Sequence, residues 1–247
     1  MTFAVKGMAN TLLLLTLSSC ASTSLTSVES VAHKNIPERQ DRSSISQLAK
    51  TDFDRMADVE VRENTESLRV LMLKLYKRNP HELQKSTPDS AEKMVAWVID
   101  GESQHHYKFS VMNNLQGTEA IFLAFKSEYT GDRVLAFIVG IQTMLMKVHG
   151  GKTDFYFTDS IDPQSMYNVA RNIEIAAWKL SNTRDALGVL YLLSNESNDK
   201  DKNLSFEREF GKMIGRTDLY AIALAEKSQR LISRVMQNVT TKLFLPF

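Results

Sequence analysis

"DRVLAFIVGIQTMLMKVHGG", residues 132–151, decides the fold. From Val134 to Val148 the stretch is apolar on nearly every side, so a helix built from it has no face to give to water. Such a helix is covered either by lipid or by its own protein. Its fifteen residues rise about 22 Å, short of a hydrocarbon core of about 30 Å, and Gln142 and Thr143 interrupt the run. The stretch therefore predicts a central core helix near 132–149. Ala136, Gly140 and Thr143 place small residues on one side of it and permit a close approach by a second helix. Gly150 and Gly151 read as its stop, with His149 in the last turn.

The segments on either side carry helix signals too. From Thr51 to Lys77 apolar residues recur mostly three and four apart, including Phe53, Met56, Val59, Leu68, Leu71 and Leu75. Acids load the first half and Arg69, Lys74, Lys77 and Arg78 the end, which complements the helix dipole. "RNP" at 78–80 ends that helix. Thr87-Pro88 reads as a cap and first helical residue, Ala91, Met94, Val95, Val98 and Ile99 as one face, and Gly101 as the stop. Residues 102–112 read as loop or short strand, and a helix is expected around 115–128.

Asp162-Pro163 reads as the cap of another helix, with Met166, Ala170, Ile173, Ala177 and Leu180 as its stripe. Arg184 to Leu193 reads as a shorter helix and 194–203 as a polar loop. A short helix is expected near 205–214. A last one starts at a Thr217 cap and runs to about Lys242, with Leu219, Ile222, Leu231, Val235 and Val239 inward. "TKLFLPF" at the end of the chain is apolar, and Leu243, Phe244 and Phe247 are expected to dock on the bundle, or on a partner in its place. With strands almost absent, the sum is all-α: a single-domain irregular bundle of about six to eight helices around the 132–149 helix.

The first twenty residues read as an address. Lys6 is the only charged side chain before an apolar run centred on Leu12–Leu15 and Leu17, and small residues follow: the layout of a secretory signal. At roughly ten residues the run is too short to span a bilayer comfortably. Leu17-Ser18-Ser19-Cys20 resembles the bacterial lipobox. The resemblance implies a signal peptide at 1–19, a diacylglyceryl group on the Cys20 thiol, cleavage before Cys20 and acylation of the new amine. Ala21, in place of an Asp, implies the outer membrane, with the domain in the periplasm. Cys20 is the only cysteine, so a lipidated chain keeps no free thiol and no possible disulfide. Residues 20–46, rich in Ser and Thr at first and without apolar period, read as a flexible tether. Residues 47–247 remain as the helical domain.

Charge narrows the partners. The chain has 30 Lys and Arg against 29 Asp and Glu, and losing residues 1–19 with Lys6 leaves 29 against 29. A neutral domain has no bulk attraction to nucleic acid.

Candidate sites reduce to structural roles at this level. "HGGKT", 149–153, lacks the first glycine of a phosphate-binding loop, since Met146 stands there, and it follows a helix rather than a strand. No nucleotide is expected. Glu102, His105 and His106 offer zinc-type donors, but neighbouring side chains on a strand diverge, so they read as solvated loop residues and no metal is expected. His33 falls in the tether, and "HELQK" at 81–85 lacks the second histidine of a zinc-protease helix. Asp159 and Asp162 form a possible carboxylate pair, for which a turn and an N-cap account equally. Arg171 and Glu174 read as an ion pair on a solvated face. "TDFYFTD", 153–159, reads as a loop covering the core.

No catalytic residue or cofactor is assigned. The expectation is a lipid-anchored envelope lipoprotein acting as a non-catalytic binding or scaffolding module, attached through Cys20 and facing an envelope protein partner. The alternative is a membrane-tethered, peptidoglycan-directed hydrolase using dispersed carboxylates.

Overall fold

The 132–151 stretch forms the helix at the centre of an all-α bundle. The computed structural model describes residues 50–152, 155–156, 161–197, 202–229, 232 and 243–247, which belong to one compact unit, Ser43–Phe247. The expected signal peptide, Cys20, the tether with His33, and Asp159, Leu231, Val235 and Val239 lie outside the described residues.

Among those residues there are eight α-helices. They are α1 (Asp52–Arg78), α2 (Pro80–Ser86), α3 (Ala91–Asp100), α4 (Glu102–His105), α5 (Gly117–Ala124), α6 (Arg133–Val148), α7 (Pro163–Asn182) and α8 (Ser205–Ser228). A single 3-10 turn, Ser110–Met112, and a two-residue antiparallel pairing of Glu196–Ser197 with Lys202–Asn203 complete them. No helix among the described residues is long and apolar enough to cross a membrane.

Helix α6 is buried at every residue from Arg133 to Leu145. It packs on α5, α1, α7 and α2, which explains why its sequence has no polar face. The small-residue side works as expected: Gly140 lies against the start of α5, and the Gly117 amide donates to Thr143 Oγ1 at 2.7 Å.

The two ends of α6 are held by different chemistry. At the N-terminus Asp132 accepts the Leu135 amide at 2.9 Å and the hydroxyls of Tyr76 and Ser86 at 2.7 Å each. Glu82 Oε2 accepts the Arg133 amide at 2.7 Å. Two buried carboxylates thus meet the positive end of the helix dipole. Burial pushes the Asp132 carboxyl up in spite of those donors, and burial beside Asp132 raises the Tyr76 phenol. At the C-terminus Gly150 and Gly151 both take left-handed backbone, φ +67° and +72°, and return amides to Lys147 and Met146. Gly151→Val is therefore expected to cost roughly 1–2 kcal/mol in urea unfolding. The exposed Lys152→Ala is expected to stay within about 0.5 kcal/mol. Equal losses in the two variants would remove the glycine stop.

Other boundaries follow the sequence closely. A Thr51–Asp54 capping box starts α1, Asn79 ends it, and Pro80 opens α2. Asp162 caps α7 with Pro163 at its first position. The buried face of α3 is the expected one, ended by Gly101.

Four expectations fail. Thr87 is the C-cap of α2, and Ser90 rather than Thr87 caps α3. Residues 102–112, expected as loop or short strand, hold the short helix α4 and the 3-10 turn. Residues 184–193 form a tight turn, because the Asp185 side chain accepts the amides of Leu187 and Val189 and Gly188 sits at φ +80°. Helix α8 begins at Ser205 and runs unbroken through Thr217, which is fully buried mid-helix and caps nothing. Its inward residues are Phe206, Phe210, Met213, Thr217, Tyr220, Ala221 and Leu224, while Leu219 and Ile222 are 62% and 45% exposed.

Candidate functional site

The close crossing of α5 and α6 opens a cleft at its edge. The loop entering α5 forms one wall, and its backbone is unusual. His106, Tyr107, Asn113 and Asn114 all have left-handed φ between 48° and 55°, followed by Gly117 at 57°. Asn tolerates this region, but for a bulky Tyr it is strained. The Gln116 amide holds the turn by donating to the carbonyls of His106 and Tyr107, at 2.9 and 3.3 Å. The Tyr107 side chain is buried, which raises its phenol.

The resulting cleft has a volume of about 970 Å³ and is lined by Glu102, His106, Gln116, Glu119, Phe122, Met146 and Lys147 among others. A second hollow of about 530 Å³, reaching Lys126 and Lys179, shares Glu119 and Phe122 with it.

Residues 243–247 lie along this cleft. They are held chiefly through their backbone. Asn172 donates from Nδ2 to the Leu245 carbonyl at 2.9 Å and accepts the Leu245 amide at Oδ1 at 2.7 Å. One turn earlier on α7, Asn168 donates to the Pro246 carbonyl at 2.7 Å. Phe244 stands edge-on to Phe122, with ring centroids 4.7 Å apart. Lys147 lies over the Phe247 ring at 4.8 Å. Phe244 and Phe247 dock on the bundle as expected, but Leu243 is 69% exposed and does not.

The other expected positions disperse. His105 Nε2 sits 3.1 Å from the Trp97 carbonyl and its Nδ1 accepts the Tyr107 amide at 2.9 Å, so both ring nitrogens are used in closing the turn after α3. His106 faces the cleft instead, and no group of three His, Cys, Asp or Glu among the described residues is placed to hold a metal. His81 is exposed on α2. Asp162 serves its cap, with its oxygen accepting the Ser165 amide at 2.8 Å. Arg171 bridges Glu174 at 2.8 Å and also Asp218 on α8, so this ion pair joins two helices in place of decorating a solvated face. Burial raises the Glu174 carboxyl against the pull of Arg171. Of the 153–159 aromatics, Phe155 is buried as a core cover and Tyr156 is exposed.

The comparisons add no relative: no protein-family model, curated protein or solved structure matches the chain.

A second polar cluster lies in the interior, where α1, α8 and the end of α6 meet. Glu60 Oε1 accepts Thr217 Oγ1 at 2.7 Å and Asn64 Nδ2 at 2.5 Å. Glu60 Oε2 lies 3.2 Å from His149 Nε2, with the two residues 3% and 2% exposed. His149 Nδ1 lies 2.9 Å from the Leu145 carbonyl, so Nδ1 carries a hydrogen. Neither Glu60 Oε2 nor His149 Nε2 has a hydrogen-bond partner, so the two buried atoms meet without a directed bond. The ring is stacked on Tyr220, interplanar angle 5°, and lies 5.2 Å from Phe155. Both residues are buried and neither lines either of the two hollows, so the pair joins helices.

The sequence held a faint signal for each site. Glu60, Asn64 and Ser67 fall at inward positions of α1, polar residues where its stripe calls for apolar ones. Asn168 and Asn172 do the same on α7.

Proposed function

We propose that this chain is a lipid-anchored lipoprotein of the bacterial envelope, tethered through Cys20 at the outer membrane, whose helical domain binds an envelope protein without catalysing a reaction. The lipobox-like Leu17-Ser18-Ser19-Cys20 supports the anchor. The observation that carries the binding role is the cleft beside α5, with an extended segment seated along it by backbone hydrogen bonds. A surface that grips main chain with two side-chain amides and walls it with aromatic rings is built to hold a ligand by shape and hydrogen bonding.

Two measurements test the halves separately. Cys20→Ser is expected to abolish labelling by a palmitate analogue and to release the protein from the membrane fraction. Unchanged labelling would remove the anchor. A photo-crosslinking side chain at Glu119, exposed between the two hollows, is expected to capture one discrete envelope protein in living cells. Digestion of purified peptidoglycan by the purified chain would instead place it among the wall hydrolases.

A further inference from the structure

We propose that residues 243–247 occupy a peptide-recognition groove, and that an extended segment of a partner protein, with aromatic side chains three residues apart, takes their place. The inference rests on the binding-module reading for the partner's location and goes beyond it in naming the ligand class.

Four observations carry it. First, Asn172 reads both backbone groups of a single residue, Leu245, and Asn168 reads the next carbonyl. Those contacts are blind to the side chain at 245, so any extended strand in the same register satisfies them. Second, Phe244 and Phe247 are both turned to the protein, the first against Phe122 and the second over Gly117 and Lys147. Rings three residues apart are thus what the groove selects. Phe247 lies over Gly117, where a Cβ would stand at ordinary contact distance, 3.5 Å from the ring. Third, the segment fills the groove incompletely. About 970 Å³ remains open along it, and Leu243 and Phe122 are 69% and 37% exposed. A longer or bulkier segment would bury what this one leaves open. Fourth, Pro246 follows Leu245, and the residue before a proline is biased to extended backbone, so an X-Pro peptide is seated with little loss of freedom.

Asn79 makes a like pairing with the Leu193 backbone, but at an exposed edge outside both hollows. The amide pair at Asn172 is fully buried beneath its occupant and flanked by aromatic walls.

The probe is a fluorescein-labelled Leu-Phe-Leu-Pro-Phe peptide, titrated by anisotropy against the full chain and against a chain ending at Lys242, both in detergent. The shortened chain is expected to bind at least about tenfold more tightly than the intact one, whose own segment competes. A peptide N-methylated at the central Leu, which cannot donate to Asn172, is expected to lose about tenfold or more. Asn172→Leu in the shortened chain should abolish binding. If the shortened chain does not fold, the same titration on Phe244→Ala/Phe247→Ala in the full chain decides. A folded chain with an emptied groove that binds no peptide overturns the proposal, as does equal binding of the N-methylated peptide. Dimers of the intact chain that vanish on shortening would give the groove to a second copy and overturn the partner assignment. Failure here leaves the Cys20 labelling and crosslinking results standing, so the two readings fail separately.

Discussion

Gly140→Leu is expected to abolish the folded domain, and Gly140→Ala to cost about 3 kcal/mol or more. A Cβ at Gly140 would lie 2.6 Å from Ile121 Cγ1 and 2.8 Å from both the Gly117 carbonyl oxygen and the Ile121 amide nitrogen. Two of those three neighbours are backbone, which cannot turn aside as a side chain does. Overpacking a core costs typically 1–3 kcal/mol when side chains can adjust. Here relief requires α5 to move off α6, which would break the Gly117–Thr143 hydrogen bond and open the floor of the cleft. Gly211→Ala and Gly215→Ala are the controls. Both lie inside α8 with open space where a Cβ would go, so each is expected to gain up to about 1 kcal/mol from helix propensity. Thermal melts of the four variants check the set. A Gly140→Ala protein that melts with the wild type would mean that α5 and α6 are spaced more widely than described.

That contrast between glycines also marks what was legible in the sequence. The central helix could be read because apolar residues occupy nearly every side of it, and Ala136, Gly140 and Thr143 within it announced a close neighbour. The first helix could be read from its charges, and α7 from Asp162-Pro163, because capping chemistry is local. The sequence divides α8 in two because Thr217 reads as an N-cap, and Gly211 and Gly215 lie beside that break. The glycines are tolerated because they face open space, and the stripe Phe206, Phe210, Met213, Thr217, Tyr220, Leu224 runs straight through at alternating steps of four and three. Leu219 and Ile222, expected inward, fall one and two positions off that stripe and are exposed. The groove was less legible still. An apolar tail promises docking, but its seat is chosen by Asn168 and Asn172, whose partners lie more than seventy residues away in the chain. Nor does any local pattern reveal that residues as ordinary as Glu60 and His149 will meet across 89 residues, 149 minus 60.

His149→Phe is expected to be the costliest substitution that leaves the core shape intact, at about 3–5 kcal/mol. Phenylalanine matches the ring that lies between Phe155 and Tyr220, so the packing survives. What is lost is the imidazole nitrogen that Glu60 Oε2 faces at 3.2 Å, and the carboxyl oxygen is left against an apolar ring in a site 3% exposed. Glu60→Gln should behave quite differently. Its carbonyl oxygen can still accept Thr217 and Asn64, and its amide can donate to a neutral His149, so the loss is expected to stay within about 1 kcal/mol. The double variant then discriminates between packing and charge. If the damage in His149→Phe comes from an orphaned carboxylate, adding Glu60→Gln removes the charge and recovers part of the stability, a coupling of about 1–3 kcal/mol in the cycle. If the damage comes from packing, the double variant is no more stable than His149→Phe alone. Urea unfolding of the four proteins at neutral pH measures the cycle. A neutral His149→Phe would show that Glu60 needs no partner, and that Thr217 and Asn64 alone hold this junction of α1, α6 and α8 together.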